Sequence, residues 1–383
     1  MPPTPADITI EVFGKTDVGL VREHNEDNFL IADVTGAMRT AEARAPFSFK
    51  LGEKGAALLV CDGMGGAAAG EVASQMAVDS IYDAMSASEP QTRDAFARLL
   101  RRAVQHANER IFIQSRDNQS ERGMGTTCTV ASLVDETLVI AQIGDSRCYV
   151  LRDGKLAQVT KDQSLAWQLI EAGAMTADEA KAFEHANIIL QALGVQERVE
   201  VVLSQVSLRR GDVTLLCSDG LHGPVADEEI LAILIAEPNL QKAGEALIQK
   251  ALDRDGPDNI TVVLGRFDGE GLQPPAPEDI VQFVGYDPGG DPVPENIGGV
   301  DSSSLARETV EERLPRDMLT SDDIPTKAEP DEPEPTEGRR KRERPRSGRS
   351  LLALFLLALV AAATGGIFVM KCEHEPTSKV TLP

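Results

Sequence analysis

This sequence of 383 residues predicts an α+β fold of antiparallel sheets with helices packed outside them. Three observations point to it. Short apolar runs of strand character come in clusters followed by helix pairs, not in the strand–helix–strand alternation of a parallel sheet. Turn residues, among them Asp153-Gly154, separate neighbouring runs closely. The globular composition ends near residue 268, where prolines and acids replace the Val, Ile and Leu runs.

The elements follow in order. Ile8 to Val12 alternates weakly and reads as a strand, as does Phe29 to Ala32. Ala56 to Cys61 is a continuous apolar run ended by Asp62-Gly63, the pattern of a buried strand. Glu71 to Ser88 reads as a helix, with Val72, Ala73, Met76, Ala77, Ile81 and Ala84 at three- and four-residue spacing. Gln91 to Gln114 is a second helix, with Ala95, Leu99, Ala103 and Ala107 on one stripe. Thr126 to Val134, Thr137 to Ile143 and Arg147 to Leu151 read as strands. Ser164 to Phe183 reads as a less apolar helical flap. Val199 to Leu203 and Val213 to Cys217 are strands, and Asp227 to Ala236 and Leu240 to Leu252 are helices separated by Pro238. Ile260 to Phe267 closes a domain expected over residues 8–268.

Residues 271–337 carry 11 of the 22 prolines and a net charge of −13, against −23 for the whole chain. Such a stretch cannot bury enough apolar surface to offset its ordering entropy. Residues 269–350 are therefore expected as an acidic, proline-rich, disordered linker ending in a basic juxtamembrane segment. Leu351 to Met370 is an uncharged run, about 30 Å long as a helix and sufficient to span a bilayer. Seven basic residues from Arg339 to Arg349 precede it, against Lys371 and Lys379 after it. That asymmetry places the N-terminal side in the cytoplasm and the short tail 371–383 outside. The expected location is the plasma (inner) membrane, single-pass, with lipid as a partner of the C-terminal helix. Met1 to Asp7 is polar and proline-rich, unlike a signal peptide. The acidic balance argues against nucleic-acid binding. Cys61, Cys128, Cys148 and Cys217 lie in apolar runs without a C-x-x-C pair, as buried reduced thiols do.

The chemistry lies in the acids. A lone Asp-Gly is usually a turn. Asp62, however, ends a buried strand and is followed by Gly63-Met64-Gly65-Gly66, and Asp219-Gly220 repeats the pattern after Leu215-Leu216-Cys217-Ser218. Two such strands can aim both carboxylates out of one sheet edge. Asp258 precedes the strand Ile260-Thr261-Val262-Val263, Glu26-Asp27 precedes Phe29-Leu30-Ile31, and Asp145 sits in Gly144-Asp145-Ser146-Arg147. Read alone, Asp145 could equally pair with Arg147. Converging carboxylates without matching His or Cys make an oxygen-lined site for hard divalent cations, and Gly63 lets its backbone carbonyl approach the same ion. Mutual repulsion makes five carboxylates too many for one ion, so two cations, with room for a third, are expected. Two cations bridged by an Asp activate water against a phosphate ester. Arg22 is the natural fork for phosphate oxygens. Gly14-Lys15-Thr16 lacks the upstream glycine of a P-loop and reads as a strand end. The five histidines show no zinc spacing, and His24 and His222 read as bystanders near acidic motifs.

Six motifs in order resemble those of the metal-dependent PP2C-type (PPM) Ser/Thr protein phosphatases. They are Gly19-x-x-Arg22-x-x-Asn25-Glu26-Asp27, Asp62-Gly63-Met64-Gly65-Gly66, Gly125-Thr126-Thr127, Ile143-Gly144-Asp145-Ser146-Arg147, Ser218-Asp219-Gly220 and Asp258-Asn259-Ile260-Thr261. The resemblance implies a four-layer αββα sandwich and a binuclear Mn²⁺ or Mg²⁺ centre that hydrolyses phosphoserine and phosphothreonine in proteins. By position, Asp62 bridges the metals and Gly63 adds its carbonyl. Asp219 and Asp258 complete one metal and Asp27 (or Glu26) the other, Asp145 with Asp219 holds a weaker third, and Arg22 binds phosphate. Met64 resembles the bacterial branch. Gln163 and Gln191 depart from the residues that bacterial relatives often carry, which bears on the flap rather than on the metals. The anchored layout resembles bacterial phosphatases that oppose membrane Ser/Thr kinases, so phosphorylated proteins and such kinases are the expected partners. The alternative is a phosphoprotein-binding module on a weakly active phosphatase-like domain.

Overall fold

The computed structural model describes residues 7–289, apart from 42–44, 66–68, 91, 177–178, 181–182 and 184–187. The chain divides into two compact units, Met1–Thr309 and Val310–Pro383, and every described residue belongs to the first. The rest of the expected linker, the expected span 351–370 and the tail 371–383 lie outside the described residues. Among the described residues no helix is long and apolar enough to cross a membrane.

In chain order, β1 (Thr9–Asp17), β2 (Asn28–Asp33), β3 (Met38–Thr40), β4 (Phe47–Lys50), β5 (Ala56–Cys61) and β6 (Gly63–Met64) precede α1 (Ala69–Ser86) and α2 (Arg93–Asp117). Then come β7 (Gly125–Thr126), β8 (Cys128–Val134), β9 (Thr137–Ile143), β10 (Arg147–Arg152) and β11 (Lys155–Gln158), followed by α3 (Leu165–Glu171). β12 (Val202–Ser207), β13 (Val213–Cys217), α4 (Asp219–His222), α5 (Asp227–Ala236), α6 (Leu240–Leu252) and β14 (Ile260–Asp268) complete the domain. One sheet has the order β11-β10-β13-β14-β1-β4 and the other β12-β9-β8-β5-β2-β3. Every pairing in both is antiparallel.

Burial explains why unbroken apolar runs form antiparallel strands here. Along β5, Ala56, Leu58 and Val60 enter the core between the sheets, while Ala57, Leu59 and Cys61 enter a second core under α1 and α2. β8 divides in the same way, Ala131 and Leu133 against Cys128 and Val130. A strand covered on both faces needs apolar residues at both parities. On the other sheet, Leu240, Ala243, Leu247 and Ile248 of α6 join the core with Val262 and Leu264 of β14. The order of layers is therefore helix pair, sheet, sheet, helix pair, as expected. The four described cysteines are buried and free.

Three departures from expectation have local causes. The flap helix stops at Glu171 rather than continuing to Phe183, because Gly173 (φ 68°) takes the left-handed conformation and Ala174 N–H bonds back to Leu169 O. The strand expected over Val199–Leu203 lies at Val202–Ser207, where the register with Thr137–Gln142 sets it. The third departure is in the proline-rich segment. Its described part, up to Gly289, lies on the domain: Gln205 N–H donates to Val284 O at 3.0 Å, and Tyr286 N–H to Leu203 O at 2.9 Å. Arg209 forks onto Asp279 at 2.7 and 2.9 Å. Together these cover the outer edge of β12, an edge that would otherwise template unwanted pairing.

Candidate metal centre

The acids converge at one end of the two sheets. Asp27 sits just before β2, Asp62 just after β5, Asp145 just before β10, Asp219 at the start of α4 after β13, and Asp258 before β14. Asp62 feels the charges of Asp27, Asp219, Asp145 and Asp258 together, and burial raises its carboxyl well above the usual range. Burial also raises Asp27 to about 7 and Asp145 to about 8. Asp219 is raised by burial and then by Asp258, and Glu26 mainly by burial. The structure thus brings all the expected acids into one field of mutual repulsion. Among the described residues no group of three or more His, Cys, Asp or Glu stands close enough together to hold a metal ion as the side chains are placed.

The donor set nevertheless fits a divalent cation. Asp27 Oδ1, Asp145 Oδ1 and Asp219 Oδ1 are buried and without a hydrogen-bond partner. Buried anionic oxygens with no donor are costly unless a cation neutralises them. Gly63 shows the same closeness in the backbone, where an added Cβ would lie 2.3 Å from Gly70 O and 2.5 Å from Glu26 O. Any side chain there would push the Glu26 loop and α1 away from the acids.

Hydrogen bonds to the backbone hold Asp62 and the loop that bears Glu26 and Asp27. Asp62 N–H donates to Thr127 Oγ1 at 2.9 Å, and Asp62 O accepts from Thr127 N–H at 2.8 Å and Thr126 Oγ1 at 2.9 Å. This gives the Gly125-Thr126-Thr127 motif its role. Asn259 uses its whole amide: Oδ1 accepts from Glu26 N–H at 2.8 Å, and Nδ2 donates to Val18 O and His24 O at 2.9 and 3.0 Å. It ties the loop bearing Arg22, Glu26 and Asp27 to the strand after Asp258. Sequence alone does not show this role of Asn259, because its partners are more than 200 residues away.

Arg147 does not pair with Asp145. It forks onto Asp162, with Nε at 3.0 Å and Nη2 at 2.7 Å, which leaves the Asp145 carboxylate facing the other acids. His222 is more than a bystander: its Nε2 is 3.0 Å from Asp145 O, and since a carbonyl only accepts, this nitrogen carries the proton. Burial holds the ring neutral, its pKa well below the usual value. Gln163 grips Gly144, its Oε1 accepting from Gly144 N–H and its own N–H donating to Gly144 O, both at 2.9 Å. Gln191 instead accepts from Glu200 N–H, in a separate hollow lined by Arg101 and Arg198.

Arg22 stands at the rim, its side chain 52% exposed, with Nη2 2.7 Å from Asp258 Oδ2. The expected phosphate fork thus already engages an expected metal ligand. From Asp145, Asp219 and Asp258 a groove of about 770 Å³ runs between α3 and α5, past Asp162, Trp167 and Glu228. Three of the acids, Asp145, Asp219 and Asp258, are part of its lining.

The raised carboxyls set a pH dependence. An acid whose folded pKa is raised holds its proton in the fold, so its contribution to stability is full below about 4 and is lost as pH climbs through 7 to 8. Asp279, lowered to about 2 by Arg209, acts in the opposite sense only at lower pH. Cations need deprotonated oxygens and gain from the same ionisation. The metal-stripped protein is expected to lose Tm between pH 5 and 8.5, while the Tm increment from Mn²⁺ grows over that interval. Equal increments at both ends would contradict this reading of the acids.

A family model described as Protein phosphatase 2C matches residues 46–254. Serine/threonine phosphatase stp of Listeria monocytogenes is 36% identical over 251 residues, covering 65% of this chain and 93% of that one. Serine/threonine protein phosphatase PstP of Mycobacterium tuberculosis is 38% identical over 257 residues, 67% of this chain and 45% of that one. The crystal structure of M. tuberculosis PstP/Ppp aligns with a TM-score of 0.58 at 36% identity, covering 68% of this chain and 99% of that one. The PstP catalytic domain in complex with two manganese ions aligns with a TM-score of 0.56 over the same shares. With the acids in place and more than half of its length matched, this chain belongs to the protein phosphatase 2C family.

Proposed function

We propose that this chain is a Mn²⁺- or Mg²⁺-dependent phosphatase of phosphoserine and phosphothreonine in proteins. The carrying observation is the set of three orphaned, buried carboxylate oxygens, with an exposed arginine bonded to Asp258, an acid that also lines the groove. Asp62, Asp219 and Asp258 would hold one cation, and Asp62, the Gly63 carbonyl and Asp27, with Glu26 beside it, would hold the other. Asp145 with Asp219 offers a third position. When bound, the cations supply water activated at neutral pH and offset the charge of the phosphate oxygens.

The chain's own residues do the rest. The acids alone repel a phosphate, so substrate binding and cation binding are coupled. Arg22 swings between Asp258 and a phosphate oxygen, orienting the ester for in-line attack. Asp258, held by Asn259 N–H at 2.8 Å on Oδ1, stays in place when Arg22 leaves. Arg22→Ala is expected to lower kcat/KM for a phosphothreonine peptide about 10- to 100-fold, the worth of one charge-assisted hydrogen bond. Arg22→Lys should recover part of it. Unchanged kinetics in Arg22→Ala would remove Arg22 from the site.

The basic block 339–349 and the apolar run 351–370 support a single-pass anchor with the enzyme on the cytoplasmic face. Membrane Ser/Thr kinases and their targets are then the natural partners, since tethering raises local concentration. The full chain should fractionate with membranes and a chain lacking 351–370 should not; equal distribution would sink the anchor.

A further inference from the structure

Behind Asp27 the hydrogen-bond donors run in one direction. Asp27 N–H donates to Asn25 Oδ1 at 3.1 Å, which fixes the orientation of the Asn25 amide. Asn25 Nδ2 therefore faces Thr16 and donates to its Oγ1 at 2.8 Å. The Thr16 and Thr261 hydroxyls are 2.7 Å apart. Thr261 Oγ1 also donates to Asp27 Oδ2 at 2.6 Å, the direction required of a carboxylate ionised to meet a cation, which can only accept. The single Thr261 hydrogen thus goes to Asp27, and the hydrogen between the two threonines comes from Thr16. The ring closes from Asp27 N–H through Asn25, Thr16 and Thr261 back to Asp27 Oδ2, every donor pointing the same way. Ser218 Oγ, 2.8 Å from the same Oδ2, donates a second hydrogen, and its oxygen accepts from Thr261 N–H at 3.0 Å.

The two oxygens of Asp27 are left unlike. Oδ2 takes both hydroxyls, and Oδ1 is buried with no partner. We propose that Thr16 and Thr261 are positioning residues of the metal centre: their one-way hydroxyl chain fixes Asp27 so that Oδ1 alone is offered to a divalent cation. The inference rests on the phosphatase reading above. It assigns a role to Thr16, which sequence treats as a strand end, and it leaves Asp27 one oxygen with which it would engage a cation or the water around it. Aligned outer hydroxyls raise metal affinity by holding the ligand in its binding geometry, and losing such partners typically costs about 10- to 100-fold in affinity or activity.

The test is a titration of Mn²⁺ into the EDTA-stripped full-length chain in detergent, with free Mn²⁺ followed by electron paramagnetic resonance. This reads occupancy without turnover. Wild type is expected to bind at least two ions. Thr261→Val and Thr16→Val, equal in shape, should each weaken one site about tenfold, while Thr261→Ser and Thr16→Ser bind as wild type does. Thr16 lies one bond further from Asp27, so its valine variant carries the test if Thr261→Val fails to fold. A merely structural role would lower the metal-free Tm of the valine variants and leave their Mn²⁺ titrations within twofold of wild type, which would overturn the proposal. Wild type binding no Mn²⁺ would overturn the phosphatase reading along with it, so the two failures are distinguishable.

Discussion

Asp219→Asn is expected to lower kcat/KM for a phosphothreonine peptide by at least about 10²-fold, because losing even a metal's outer partners costs 10- to 100-fold. The substitution keeps the size of the side chain and removes its charge. Asp219 lies at the start of α4, where Gly220 allows the turn to press on Asn259 (an added Cβ would lie 2.0 Å from Asn259 O). Its Oδ1 is buried and unpartnered, and Asp258 and burial both oppose its ionisation. Neutralising it relieves repulsion among the acids, so the metal-free Tm should hold or rise while activity and Mn²⁺ binding fall. That opposition of stability and activity separates a metal ligand from a structural acid. A variant keeping more than half of wild-type kcat/KM would remove Asp219 from the centre.

The largest expected loss of stability lies at the other end of the strands. Arg152 and Asp212 are 6% and 1% exposed and form a fork, Nε to Oδ1 at 2.9 Å and Nη2 to Oδ2 at 2.6 Å. Arg152 Nη2 also donates to Ser207 O at 2.8 Å, and Asp212 Oδ2 accepts from Arg209 N–H at 2.7 Å. The pair thus joins the ends of β10 and β12, strands of different sheets, to the start of β13. Arg152→Met leaves a buried carboxylate without its cation and should cost about 3–5 kcal/mol. That corresponds to a Tm loss on the order of 10 °C for a domain of this size. Adding Asp212→Leu should recover much of it, since an apolar pair needs no compensation. The folded fraction should keep wild-type kcat. A Tm within 2 °C of wild type, measured by calorimetry, would show that the pair is not a structural tie.

Much of this was legible in sequence, because both-face burial and the acidic motifs are local signals. The run Ala56–Cys61 announced β5 to the residue, and the helices at Asp227 and Leu240 were equally plain. Short elements escaped. Met38–Thr40 and Phe47–Lys50 are edge strands with exposed positions, too short at three and four residues for their pattern to stand out. At the site, the acids could be named because each ends or starts a buried strand. Their supports could not: Asn259 reaches Glu26, His222 reaches Asp145 and Thr16 reaches Thr261 only through the fold. Composition also misjudged residues 271–289, since main-chain bonds to β12, the Arg209–Asp279 pair and the packing of Leu272, Val281 and Tyr286 on the cores dock this segment.

Phosphate release from a phosphothreonine peptide by the full-length chain, in Mn²⁺ and in EDTA, tests the central claim most directly. Release in Mn²⁺, abolished by EDTA and restored by further Mn²⁺, is the predicted result. No release from folded protein that has bound Mn²⁺ would contradict it, and would leave a domain that recognises phosphoproteins without hydrolysing them.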